Sequence, residues 1–237
     1  MRVCKNCKIQ VIDDEARFCI ECGADLNSIS HKSSNTTSQN HSLQEKENIL
    51  QSPSKNIQKI VKGQKVSLAN FTQNSLVVSL SFECDKNFDI DASAFLLNQQ
   101  GQVISDDDIV FYNNLRHKSG CLECKDSIAM PKTFLFNLIE TPAEYNRIAF
   151  TLTINDAEIK NQNFSQVNNM KIVITDSIQP DKILIFSLDD ALTVENALLV
   201  AEIYRHKGEW KFNAIGAGFS GGLVALCKNF GVDVDTK

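Results

Sequence analysis

Apolar and polar residues alternate in short runs from about Ile57 to the end of this chain. In SLVVSLSF, Leu76, Val78 and Leu80 fall on one face, while Val77 shares the other with Ser79 and Ser81. A period of two puts neighbouring side chains on opposite faces of an extended backbone, so the run predicts a half-buried strand. The shorter GQKVSLAN precedes it. Further strands are predicted over 88–97, 109–113, 134–138, 147–154, 170–175, 183–187, 198–205 and 209–215. They are β-branched or aromatic and are separated by turn sequences such as Gln99-Gln100-Gly101 and His206-Lys207-Gly208-Glu209. Many short strands at this spacing indicate an antiparallel sandwich or barrel. The exception is 221–230, where Leu223, Leu226, Cys227 and Phe230 form a helical stripe and Gly231 is a natural stop.

Upstream the alternation ceases. Residues 26–56 are rich in Ser, Asn, Thr and Gln, with no aliphatic side chain between Ile29 and Leu43. Such a segment buries too little apolar surface to offset its ordering entropy, so it reads as a flexible polar linker. It divides a small module over 1–25 from a domain over 57–237. The hydrophobic fraction of 43% is enough for a core in that larger domain. A net charge of −5 weighs against a general nucleic-acid binder but leaves room for a local basic patch. The start, Met1-Arg2-Val3-Cys4-Lys5, lacks the apolar stretch of a secretory signal, and no apolar run approaches the ~20 residues of a membrane span. The expectation is a soluble, cytoplasmic protein.

In such a chain, clustered cysteines point to metal before disulfides. Cys4-x-x-Cys7 is followed, after eleven residues, by Cys19-x-x-Cys22. Two tight turns presenting two thiolates each close a tetrahedron around zinc, and four protein ligands leave no open position, so the metal is structural. Val11, Ile12, Phe18 and Ile20 are too few to make a core. Metal binding would then supply most of the folding free energy, about 10–16 kcal/mol for sites of this kind. The module resembles the short zinc ribbons at the N-termini of many bacterial proteins.

The stretch FDIDASAFLLNQQGQVISDDDIVFYNNL is the main candidate for chemistry in the larger domain. Asp89 and Asp91 share a strand face at ~6–7 Å spacing. They form either a solvated acidic edge or half of a site for a hard cation, which takes several oxygen ligands. Asp156 follows a predicted strand where loops gather and is a candidate to join such a site.

The segments FDIDASAFLL, DDDIVFYNNL, IAFTLTINDAE, QNFSQVNN, FSLDDAL and AEIYRHKGEWKFNAIGAGFSGGLVALCKNFGVDV resemble the TerD family, the tellurium-resistance and general stress proteins of bacteria. The similarity spans 62–234. It implies a β-sandwich, to which the helical stripe over 221–230 adds a short C-terminal helix, that binds calcium, has no known enzymatic activity, and works with other products of tellurite-resistance clusters. Carried over, the calcium site would use Asp89 and Asp91 with carbonyls or amides of Tyr112, Asn113 and Asn114. Family members continue with an Asn- and Gly-rich loop that closes on a run of acidic residues. Here the matching stretch is HKSGCLECKDSIAMPKTFLFNL, with only Glu123 and Asp126 as carboxylates. The expectation is one weakened calcium site or none.

Two thiols appear in that stretch instead. His117, Cys121 and Cys124 would hold a second zinc if a fourth ligand such as Cys84 arrived; otherwise the cysteines form a redox pair or are two unpaired, exposed thiols in a loop. Cys227 belongs to the helix stripe and reads as core, and Trp210 and Phe212 share a face that anchors the sandwich. No nucleophile elbow, Ser-His-Asp set or phosphate-binding loop is suggested. The predicted function is a non-enzymatic stress-response protein that binds a divalent cation and partner proteins, with the zinc module as a tethered recognition element. The alternative is a nucleic-acid-associated adaptor that works through the ribbon, where Arg2, Lys5, Lys8 and Arg17 give local positive charge.

Overall fold

The computed structural model describes residues 2–4, 10–11, 56–71, 75–126, 131–188 and 192–234. Near the N-terminus, β1 (Arg2–Val3) and β2 (Gln10–Val11) pair antiparallel. Cys4 is buried. Cys7, Cys19 and Cys22 lie outside the described residues.

The period-two runs build two six-stranded sheets. In chain order the strands are β3 (Asn56–Ile60), β4 (Lys65–Ser67), β5 (Leu76–Glu83), β6 (Ile90–Leu97), β7 (Ile109–Val110) and β8 (Leu122–Asp126). They continue with β9 (Lys132–Phe136), β10 (Arg147–Ile154), β11 (Asn168–Asp176), β12 (Lys182–Ser187), β13 (Ala197–His206) and β14 (Glu209–Phe219). One sheet runs β4-β14-β13-β10-β6-β7 and the other β3-β12-β11-β5-β9-β8. Between them lies the main core. Leu76, Val78 and Leu80 of β5 are fully buried there, with Phe134, Phe136, Phe150, Ile174 and Ile203. Phe134 and Phe150 meet edge-on across the two sheets at 5.7 Å. Burying each such side chain stabilises the fold by roughly 1.5–3 kcal/mol. Phe212 is buried and Trp210 packs against the core, edge-on to Phe136, so this pair does anchor the sandwich.

The first sheet is covered on its outer face as well. Helix α2 (Gly222–Asn229) lays Leu226, Cys227 and the following Phe230 on Phe95, Leu97, Ala149 and Leu199. Phe95 and Phe230 rings are 4.8 Å apart. This explains why β6, β10 and β13 read as nearly continuous apolar runs: both of their faces are buried. Gly231, at φ +75, ends the helix as expected. Leu223 departs from the expected stripe and is 43% exposed.

Other differences concern the edges. β3 pairs in parallel with β12, so the sandwich is not wholly antiparallel. This strand opens at Asn56, which the sequence had placed in the linker, and four of its five residues are exposed, so it carries no alternation. β6 starts at Ile90, leaving Asp89 just ahead of it. The strand expected over 109–113 stops at Val110, and a Phe111–Asn114 bridge closes a turn. β8 forms where a loop was expected, and Cys121 and Cys124 are buried there, so they are not exposed loop thiols. Asp189 and Asp190 fall outside the described residues. Among the described residues, no helix is long and apolar enough to cross a membrane.

Candidate binding cavity at one end of the sandwich

β6 and β10 run antiparallel, with Asp91 opposite Thr153 and Ile90 opposite Ile154. This register brings the start of one strand beside the end of the other. Beyond the ladder, the Asn155 N–H donates to the Asp89 carbonyl at 2.8 Å and its amide donates to the Asp89 carboxylate at 3.2 Å. Asp156 then takes a left-handed φ of 55 and begins the short helix α1 (Ala157–Lys160). Its carboxylate is 3.7 Å from the Lys160 ammonium. The start of α2 closes the same end, where the Gly222 N–H donates to Asn196 Oδ1 at 2.7 Å.

These elements enclose a cavity of about 840 Å³, within the ~300–1,000 Å³ typical of ligand sites. Its acidic lining is Asp89, Asp91, Asp156 and Glu158. Tyr112, Ile159 and Leu223 also line it and are 58%, 85% and 43% exposed. Lys132, at the start of β9, contributes from the second sheet. Burial, the neighbouring Asp89 charge and, in opposition, Lys132 act on Asp91, and the net effect raises its pKa. Part of that carboxyl's cost of ionisation is therefore carried by the fold.

Of the residues expected to hold a cation, Asp89, Asp91 and Asp156 come to one cavity. Asn113 and Asn114 do not line it. The Asn114 amide is instead spent on the carbonyls of Ile109 at 2.8 Å and Asp107 at 3.3 Å, which fixes the turn. Among the described residues, no three His, Cys, Asp or Glu side chains converge in a metal-holding arrangement. Lys132, Asn155, Glu158 and Asn196 were not anticipated. A signal for Lys132 was present: KTFLF alternates, so Lys132 shares an inward register with Phe134 and Phe136.

His117 and Cys121 stand elsewhere, in a buried polar cluster, and Cys124 is buried in the sandwich core. The Asp108 carboxylate, with no solvent exposure, accepts from Tyr145 Oη at 2.6 Å and His117 Nε2 at 3.2 Å. It also accepts from the N–H groups of Ile104 and Ser105 at 2.8 and 2.9 Å. His117 Nδ1 accepts from the Ser119 N–H, and the Ser119 hydroxyl is 2.7 Å from it. Both ring nitrogens are thus engaged, and Cys121 Sγ lies 3.9 Å from Nδ1. Burial raises the Cys121 pKa, which keeps the thiol protonated and unreactive. Cys84 is exposed after β5.

Ser119, His117 and Asp108 have the connectivity of a hydrolase triad, which the sequence did not suggest. None of the three lines the cavity. The adjacent N–H groups of Gly120 and Cys121 are spent on the His117 carbonyl and on Ser119 Oγ. They therefore offer no oxyanion site, and the cluster reads as a clamp on the loop before β8.

A TerD domain family model matches residues 56–230. The chain is 33% identical over 184 residues to tellurium resistance protein TerD of Serratia marcescens, covering 73% of this chain and 96% of that protein. It is 40% identical to uncharacterized protein YceE of Bacillus subtilis, over 73% of this chain and 97% of that one. It is 44% identical to chemical-damaging agent resistance protein B of Clostridium acetobutylicum, over 56% of this chain and 99% of that one. A crystal structure of a TerD homologue from Streptomyces coelicolor A3(2) superposes with a TM-score of 0.50 at 16% identity, covering 65% of this chain and 95% of that chain. That likeness shows a shared fold.

Proposed function

The chain belongs to the TerD domain family, and from that membership we propose that it is a non-enzymatic stress-response protein that works by binding, with the end cavity as its docking site. One observation supports this above the others. The cavity combines carboxylates from Asp89, Asp91, Asp156 and Glu158 with exposed Tyr112, Ile159 and Leu223. An acidic hollow with an apolar rim suits a partner protein that offers basic and apolar side chains together. The four cysteines Cys4, Cys7, Cys19 and Cys22 form, in this reading, a structural zinc module that adds a second recognition surface.

The family resemblance also implies calcium. Calcium takes about 6–8 oxygen ligands. Here an Asp89 oxygen is committed to Asn155, Asp156 sits beside Lys160, and a lysine shares the cavity. The donors present do not fit a calcium cage, and the proposed docking does not depend on one.

The test is complementation. A strain lacking this chain is challenged with tellurite and with an oxidant, then supplied with wild type or with Tyr112→Ala/Ile159→Ser. The expected result is a sensitive strain rescued by wild type and not by the rim variant, with the variant's thermal midpoint unchanged. Full rescue by the rim variant, or no sensitivity on deletion, would sink the proposal. A salt-sensitive gel shift by the full chain, abolished by Lys5→Ala/Lys8→Ala, would favour the nucleic-acid adaptor instead.

A further inference from the structure

We propose that Lys132 is a tethered cation that takes the place of a metal ion in the end cavity, supplying from the second sheet the positive charge that the acidic residues of the first sheet require. Lys132 opens β9, whose burial alternates, and it lies in register with the buried Phe134 and Phe136. It retains only 8% of its exposure. A lysine this buried is costly unless its charge is compensated. The cavity it lines holds Asp89, Asp91, Asp156 and Glu158, and among the described residues Lys160 is a second cation beside that set, facing Asp156.

Both sheets contribute to the lining of this cavity. Asp91 lies on β6 of one sheet, and Lys132 pairs through β9 with Leu80 of β5 in the other. A metal ion here would neutralise the carboxylates of Asp89, Asp91, Asp156 and Glu158. An ammonium fixed to one side does the same electrostatic work without exchanging with solvent. It also repels an incoming divalent ion, because like charges in a partly buried site interact strongly. Lys132 is one of the charges that act on Asp91, and it favours the ionised carboxylate. The shortage of convergent carboxylates among the described residues and the presence of a buried lysine are then one design.

The inference goes beyond docking, since it holds whichever partner the cavity receives. It is tested on the full chain by thermal unfolding in calcium-free buffer and in millimolar calcium chloride. Fluorescence of Trp210, the single tryptophan, reports on the sandwich apart from the N-terminal module. Wild type and Lys132→Arg are expected to melt at the same temperature with and without calcium. Lys132→Glu is expected to melt several degrees lower without calcium and to recover with it. In case Lys132→Glu does not fold, Lys132→Met provides a calorimetric titration, expected to show calcium binding on the order of tenfold tighter than wild type or more. A wild type as calcium-responsive as the Glu or Met variant, or variants that gain no calcium response, would overturn the inference.

Discussion

Replacing Asp108 by alanine removes a carboxylate that receives hydrogen bonds from Tyr145, His117, Ile104 and Ser105. The two backbone donors lie nearer solvent and can turn to water. Tyr145 and His117 are 2% and 1% exposed and cannot. Two stranded buried donors at ~1–3 kcal/mol each give a loss of about 4 kcal/mol. For a domain of this size that lowers the melting temperature by roughly 8–16 °C. The assay is urea unfolding followed by Trp210 fluorescence, with Asp108→Asn as the milder change, expected to cost about half because one acceptor oxygen remains. Asp108→Ala and Tyr145→Phe should be strongly non-additive, because each removes the same bond. The cluster also sets an acid limit. Burial pushes the Asp108 pKa up, but hydrogen bonds from Tyr145, Ser105, Ile104 and His117 outweigh it and hold the carboxyl below its ordinary range. The unfolded chain therefore binds the proton first. The contribution is complete above the ordinary carboxylate pKa of ~3.9 and is lost as pH falls through the depressed folded value. A loss under ~1 kcal/mol on Asp108→Ala, or an unchanged acid limb in Asp108→Asn, would refute this reasoning.

Other perturbations have defined outcomes. Asp91→Asn should stabilise the chain at pH 7 relative to its effect near pH 3, because burial and Asp89 raise the folded pKa and so make ionisation unfavourable as pH rises; equal shifts at both pH values would count against it. Gly218→Ala places a Cβ against the Glu195 side chain, which is held by the Thr193 and Val194 N–H groups at 2.6 and 3.0 Å, and should cost about 1–3 kcal/mol in urea unfolding. Phe134→Ala opens a hole between the sheets and should cost about 3–5 kcal/mol in the same assay.

The sequence was most legible where one face of a strand is buried and the other is not. β5 shows its alternation directly, and the hairpin between β13 and β14 follows from Lys207 and Gly208, both at positive φ. β3 was hidden because an exposed edge strand needs no apolar face; backbone pairing with β12 holds it. β8 resembles a loop in sequence because LECKD carries three charged residues in five, yet Leu122 and Cys124 are buried. The same held at the cavity. Asp89, Asp91 and Asp156 were found as carboxylates at strand ends, but which of them meet depends on the β6–β10 register, which no local pattern encodes. Leu223 fits a helical stripe by spacing, yet the first turn of α2 overhangs the cavity, so it faces outward. Asn114 looked like a cation ligand, but its amide closes its own turn.

Lys132 offsets part of the end cavity's negative charge from within. Elemental analysis of the full chain, purified in parallel as wild type and as Lys132→Glu from medium containing calcium, tests this most directly. Wild type should carry about one zinc, held by the cysteine set, and calcium far below one equivalent, while Lys132→Glu should approach about one calcium per chain. A full equivalent of calcium in the wild-type protein would contradict the account.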